Sequence, residues 1–247
     1  MTQRWKLIIE YDGRSFCGWQ RQEHDPHSVQ QVIEDAITAF TGEQARLHVA
    51  GRTDAGVHAL AQVAHFDLEK EVDVAAVEGA INFHVRPHPV SILRAMPVSE
   101  DFHARFSAQA RSYRYMLSNR RAPLALMAGR AWHFTRPLAL GPMQQAAAML
   151  IGHHDFSTFR AKHCQANSPM RTLDKLDVTQ EGDVFLFDVK AKSFLYHQVR
   201  NMVGTLVMVG TGQWSLDDFA VAFAAKDRAK GGPTAPSDGL YFVNVDY

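Results

Sequence analysis

The chain has 247 residues, with 26 basic and 26 acidic side chains that cancel to a net charge of zero and 13 histidines besides. Hydrophobic residues make up 46% and charged residues 21%, ordinary usage that excludes disordered and fibrous classes. The length permits one large domain or two modest ones.

The opening run MTQRWKLIIEYDG predicts a strand over Trp5 to Tyr11. Its apolar stretch stops at Glu10 and Asp12 and has neither the apolar core nor the small-residue cleavage site of a secretory signal. Gly13 and Gly18 mark a loop. Ser28 then caps a helix, with Gln31 three residues on. Val29, Val32, Ile33, Ala36, Ile37 and Phe40 share one face of that helix before Gly42 ends it. Short strands are predicted at Arg46 to Val49, Gln62 to Phe66 and Val90 to Ala95, with a helix near Val74 to Asn82.

An arginine-rich strand follows over Arg111 to Ser118, then a helix over Pro142 to Ile151 with Met143, Ala146, Ala147 and Leu150 on one face. Leu173 to Thr179 and Val184 to Val189 read as a hairpin turning at Glu181, Gly182 and Asp183. Helices over Leu195 to Val209 and Leu216 to Ala225, the second capped by Ser215 with Asp218, precede a last strand over Leu240 to Asp246. The apolar run Met202 to Val209 is too short to cross a bilayer. Cys17 and Cys164 form neither a disulfide framework nor a CxxC pair, which suits a reducing cytoplasm. The expected fold class is α+β: two lobes, 1–104 and 105–247, each a mixed or antiparallel sheet with helices on one face and an active-site cleft between them.

Charge is unevenly distributed. Between Arg105 and Arg136 there are seven arginines (Arg105, Arg111, Arg114, Arg120, Arg121, Arg130, Arg136) and no Lys, Asp or Glu. A charge run usually marks a solvated face, but a face meant only for solubility mixes its signs, whereas one that tracks phosphates excludes carboxylates.

The densest stretch is AGRTDAGVHA, Ala50 to Ala59, which packs two glycines, an Arg, a Thr, an Asp and a His between two predicted strands. Glycines let a backbone approach a ligand closely, and Asp54 is placed to face a cleft. The segment alone is also compatible with an ordinary turn. In this register it resembles the signature of the tRNA pseudouridine synthase A family. IEYDGRSFCGWQ, SVQQVIEDAI, FHARFSAQARSYRY, CQANSPMRT, FLYHQVRNMVG and GPTAPSDGLYF resemble that family's other blocks, in order and over nearly the whole chain. INFHVRPHPVSIL departs from it, lacking the usual Leu-Pro and Asp-Ile pattern.

The resemblance implies isomerisation of uridine to pseudouridine in the tRNA anticodon stem-loop, at positions 38, 39 and 40, by a cytoplasmic homodimer that needs no cofactor or metal. It makes Asp54 the catalytic carboxylate and Arg200 its charge partner, and it lays Tyr113 against the target base. Arg52 is expected to replace the flipped nucleotide in the stack, a task suited to a planar guanidinium. Thr53 and His58 join it in binding substrate, with Arg105, Arg111, Arg114, Arg120 and Arg121 on phosphates. A noncatalytic RNA-binding module and a histidine-based metal hydrolase are the other readings. The histidine spacings show neither a His-x-x-x-His pair nor a His-carboxylate triad.

Overall fold

The computed structural model describes residues 2–22 and 27–247. They form two compact units, Met1–Arg111 with Tyr241–Tyr247, and Ser112–Leu240. The chain therefore divides at Arg111/Ser112 rather than at the expected 104/105, and its last seven residues return to the first unit. The return has a physical cause: Tyr241 and Phe242 of the final strand pair with His58 and Ala59, and the Gln109 N–H donates to the Asp246 carbonyl at 2.8 Å.

In the first unit β1 (Gln3–Tyr11) is central, antiparallel to β3 (His58–Leu68) on one side and to β4 (Val90–Val98) on the other. The short β2 (His48–Val49) pairs with β3. Alternation along β1 buries Trp5, Leu7, Ile9 and Tyr11, as a strand with one covered face requires. Helix α1 (Val29–Thr41) starts where the Ser28 hydroxyl accepts from the Gln31 N–H at 3.2 Å and stops at Gly42, which adopts φ +81°. It buries Val29, Ile33, Ala36 and Ile37 and packs against α2 (Val74–His84), which lies on β4. Burying each such Val or Ile is worth about 1.5–3 kcal/mol.

In the second unit β5 (Ala110–Asn119), which begins at the end of the first, is followed by β6 (Trp132–Phe134), α3 (Leu140–Ala148), β7 (Gly152–Asp155), β8 (Met170–Glu181) and β9 (Val184–Ala191). The strand order is β5-β9-β8-β7, with β6 parallel to β5. The β8–β9 hairpin turns at Gly182, φ +61°. Helices α4 (Gln198–Gly210) and α5 (Leu216–Ala224) pack with α3, and α5 carries the full reciprocal cap between Ser215 and Asp218. Strand β10 (Leu240–Asp246) closes the chain. No helix among the described residues is long and apolar enough to cross a membrane.

Candidate functional site

Residues 50–57 form the loop from β2 to β3, and it is fastened from several directions. Gly18 and Asp54 make an isolated antiparallel bridge, and the Trp19 N–H donates to the Thr53 carbonyl at 3.0 Å. The Val57 N–H closes the turn on the Asp54 carbonyl at 3.2 Å, with Gly56 at φ +78°. The approach at Gly18 needs a glycine: its φ is +117°, and a Cβ there would lie 2.8 Å from the Thr53 carbonyl oxygen. Gly13 is as confined, since a Cβ on it would overlap the Val57 carbonyl.

The loop's side chains divide into two sets. Thr53 is buried and its hydroxyl meets the Tyr11 hydroxyl at 2.7 Å. Burial pushes the Tyr11 phenol up to about 12, against the pull of the Thr53 bond, so Tyr11 stays a neutral brace. His58 is 2% exposed, and its Nδ1 accepts the Gly13 N–H at 3.1 Å. The Asp12 carboxylate lies 3.3 Å from the same nitrogen, and the ring stacks on Tyr241 at 4.7 Å. Asp54 is half-buried and Arg52 exposed. Thus the structure turns Asp54 and Arg52 toward the surface, with Thr53 and His58 as ties beneath them.

Arg111 is one of those ties. It is 8% exposed, and its Nε and Nη2 donate to the Ala50 carbonyl at 3.2 and 3.0 Å. Its Nη1 reaches the Ala108 carbonyl at 3.4 Å, and Nη2 the Arg105 carbonyl at 2.5 Å. The phosphate contact expected of Arg111 is therefore corrected to an internal brace under the start of the Asp54 loop. Arg105 differs: it is exposed, 5.7 Å from the ring of Phe106, which is itself 76% exposed.

In the second unit, Tyr113 on β5 is half-buried with its ring edge-on to Phe194 at 5.1 Å. Tyr115, two residues on, is fully buried; it donates to the Pro236 carbonyl at 2.8 Å, and burial holds its phenol well above the usual range. The same strand thus presents one tyrosine as core and the other at a margin.

Arg200 sits in the first turn of α4, half-buried, its Nε donating to the Ala235 carbonyl at 2.8 Å, while the Ala235 N–H returns a bond to the Arg200 carbonyl at 3.1 Å. Residues 232–235 can lie this close because Gly204 has no Cβ to strike the Pro233 carbonyl. Asn201 locks them further. It is buried, its Oδ1 accepts from the Thr234 hydroxyl at 2.6 Å and from Arg228 at 3.1 Å, and its amide donates to the Phe159 carbonyl at 2.8 Å. These positioning residues went unnoticed in the sequence, although GPTAPSDG carries the signal of a rigid turn.

The remaining arginines are less uniform than the acid-free run suggested. Arg114 pairs in a bidentate fork with Asp188 of β9, at 2.7 and 3.0 Å. Arg120 lies 3.4 Å from Asp183 and also holds the Ala122 and Pro123 carbonyls. Arg121 is exposed. Carboxylates from the neighbouring hairpin therefore offset part of the positive charge. Among the described residues no group of three or more His, Cys, Asp or Glu side chains is arranged to hold a metal ion.

The site is an anchored loop that presents one carboxylate, Asp54, in a chain of mixed α+β structure. The profile of the tRNA pseudouridine synthase family matches residues 7–107 and 146–247, and the chain belongs to that family. It is 56% identical over 245 residues to a tRNA pseudouridine synthase A of Rhodospirillum centenum, covering 99% of this chain and 100% of that one. It is equally 56% identical to that of Afipia carboxidovorans over 244 residues, 99% of each chain. The Rhodospirillum rubrum protein of the same name is 52% identical over 244 residues, 99% of this chain and 87% of its own.

Proposed function

We propose that this chain isomerises uridine to pseudouridine in the anticodon arm of tRNA, with Asp54 as the one indispensable catalytic carboxylate. The observation that carries the reading is the double anchoring of the Asp54 backbone, by the Gly18 bridge and by the Val57 turn, with its side chain left half-buried. Fixed geometry of this kind is what converts an ordinary carboxylate into an effective catalytic group.

The reaction breaks the N1–C1′ glycosidic bond, turns the base and forms a C5–C1′ bond. The C5 hydrogen leaves to solvent and N1 gains a proton, so nothing is hydrolysed, oxidised or phosphorylated. An ionised carboxylate is competent to attack C1′, to add to the pyrimidine ring, or to remove a ribose proton. A glycoside hydrolase needs a second carboxylate to activate water; an isomerase returns the same base to the same sugar and does not. The chemistry calls for no cofactor.

Tyr113, half-buried on β5, is assigned to the target base, and Arg200 to keeping the catalytic carboxylate ionised. Arg52, exposed beside Asp54, is assigned to the gap left by the flipped nucleotide. Arg105, Arg120 and Arg121 are assigned to phosphates. Arg114, forked onto Asp188 through Nε and Nη2, has its Nη1 left to offer a phosphate. The family resemblance supports a homodimer, and the cysteine usage supports a cytoplasmic setting.

The test is direct. Unmodified tRNA transcripts carrying tritium at uridine C5 are incubated with the protein, and release is followed while modified positions are mapped. Release with pseudouridine confined to the anticodon arm is the expected result. No release from any tRNA would remove the reading.

A further inference from the structure

A second stretch of sequence lacks acids altogether. From Phe156 to Leu173 the chain carries Arg160, Lys162, His163 and Arg171 and no Asp or Glu. Unlike Arg114 and Arg120, these cations are not offset by carboxylates from elsewhere: among the described residues no ion pair involves Arg160, Lys162 or Arg171. Asp155, which accepts the Ser157 N–H at 2.9 Å, is near enough for its charge to be felt at Arg160 but makes no ion pair with it.

The stretch is built rather than loose. Arg160 Nη2 donates to the carbonyls of Cys164 and Ala166, at 3.1 and 2.5 Å. Arg171 Nη1 donates to those of Ser168 and Met170, at 3.0 and 2.6 Å. Each guanidinium thus spends one terminal nitrogen on the loop, and each has five N–H donors in all. Arg171 Nε is buried without a hydrogen-bond partner among the described residues. Burial lowers the Arg171 pKa, Cys164 opposing and Arg160 adding to the effect, so the two guanidiniums feel each other's like charge. Two half-buried cations that feel each other's charge, neither in an ion pair, favour an added anion.

The loop is tied to the segment leading into α4. The Ala161 N–H donates to the Tyr196 carbonyl at 3.1 Å, and the Tyr196 N–H to the Cys164 sulfur at 3.4 Å. Tyr196 is 42% exposed, its ring lying on that of His197 at 3.9 Å. Lys162 and His163 are exposed at the tip. Cations outside any ion pair, near the exposed Tyr196 and the half-buried His197 stacked on it, are the elements of a surface that follows a nucleic-acid backbone.

We infer that Arg160, Lys162 and Arg171, with Tyr196 beside them, form a second phosphate-binding face for tRNA, separate from the arginines of the 105–136 run. This rests on the reading that tRNA is the substrate. Arg160 and Arg171 hold the loop, while Lys162 meets the RNA at its tip.

The experiment uses the full chain and whole tRNA. Affinity is measured across a range of salt for wild type, for Lys162→Ala, and for Lys175→Ala, whose lysine pairs with Asp177 at 3.0 Å on β8. Lys162→Ala is expected to reduce the slope of log K against log salt by about 0.7–0.9, one phosphate contact, and Lys175→Ala to leave it unchanged. Alkylation of Cys164 supplies a readout that needs no substitution. Burial raises that thiol's pKa, but N–H bonds from Tyr196 and Ala166 and the Arg160 guanidinium outweigh it and leave the thiol below its ordinary value. Bound tRNA is expected to slow its alkylation several-fold. An unchanged slope for Lys162→Ala, or Cys164 alkylated equally fast with and without tRNA, overturns the inference. If wild type still releases tritium, that failure leaves the isomerase reading standing. A wild type that binds no tRNA removes both.

Discussion

Gly18→Ala tests how the Asp54 loop is held. Gly18 has φ +117°, a conformation a side chain rarely tolerates, and the new methyl carbon would lie 2.8 Å from the Thr53 carbonyl oxygen, where ordinary contact begins near 3.4 Å. The backbone strain is about 1–3 kcal/mol. The clash is with backbone, so no side chain can swing away, and the loop must retreat by about 0.6 Å or Gly18 must move with it. A total near 2–3 kcal/mol lowers the melting temperature by roughly 4–12 °C for a chain of this size. Because the retreat displaces Asp54 itself, single-turnover tritium release is expected to slow on the order of 10- to 100-fold. Affinity for tRNA should change little, since the arginines proposed to bind phosphates are not part of this loop. Gly42→Ala is the matched control. Gly42 has φ +81° but nothing within 4 Å of the added carbon, so it should lose about 1 kcal/mol of stability and keep its rate. If Gly18→Ala folds and turns over within threefold of wild type, the reasoning about the bridge is refuted.

Three further outcomes follow from the same contacts. Arg111→Ala removes the donors to the Ala50 and Arg105 carbonyls and should cost about 2–4 kcal/mol in denaturant titration, without altering the salt dependence of tRNA binding. A reduced salt slope would restore Arg111 to the RNA surface. Asn201→Ala breaks the bonds to Thr234 and Arg228, which should destabilise the second unit by about 1–3 kcal/mol and slow turnover by loosening the Ala235 carbonyl that holds Arg200. Turnover at the wild-type rate would sever that link.

The third outcome concerns pH. Burial first, with His103 and His48 adding, pushes His65 from 6.5 down to about 4, with Arg4 adding and Asp67 opposing. Its Nδ1 accepts the Ala104 N–H at 3.1 Å. The folded value lies below the unfolded one, so the unfolded state binds the proton more readily. The stabilisation is complete above pH 6.5 and fades as pH falls toward 4, by at most about 1.4 kcal/mol per pH unit. Unfolding of wild type should show this dependence and His65→Gln should flatten it. Identical curves would contradict the assignment.

What the sequence disclosed and what it withheld follow from the range of the interactions. Helix α1 could be read from Ser28 to Gly42 because its cap and its stop are local, and the Ser215–Asp218 cap of α5 is equally self-contained. Strands β6 and β7, of three and four residues, had no period long enough to register, and their existence depends on the strands beside them. Strand β3 begins at His58, earlier than its alternation suggested, because the end of the glycine-rich motif is already paired with β1 and β10. Helix α4 begins at Gln198 rather than Leu195 because His197, at φ +59°, turns the chain where no glycine announced it.

The arginines show the same division most clearly. Counting acids along the chain could not find Asp188 and Asp183, which reach Arg114 and Arg120 from the β8–β9 hairpin. Nor could it tell that Arg111 points inward while Arg105 points out. Asp54 was marked by its motif, but the features that fix it, Gly18 and the Tyr11–Thr53 contact, lie far off in sequence and become visible only once β1 and β3 are paired.

The central claim is that one carboxylate, Asp54, carries the chemistry. Its most direct test is single-turnover tritium release from C5-labelled tRNA by Asp54→Asn at saturating enzyme, with tRNA affinity measured on the same protein. The account predicts affinity close to wild type and no release above background, because the amide keeps the shape but is neither a nucleophile nor a base. Release by Asp54→Asn at a rate near that of wild type would contradict it.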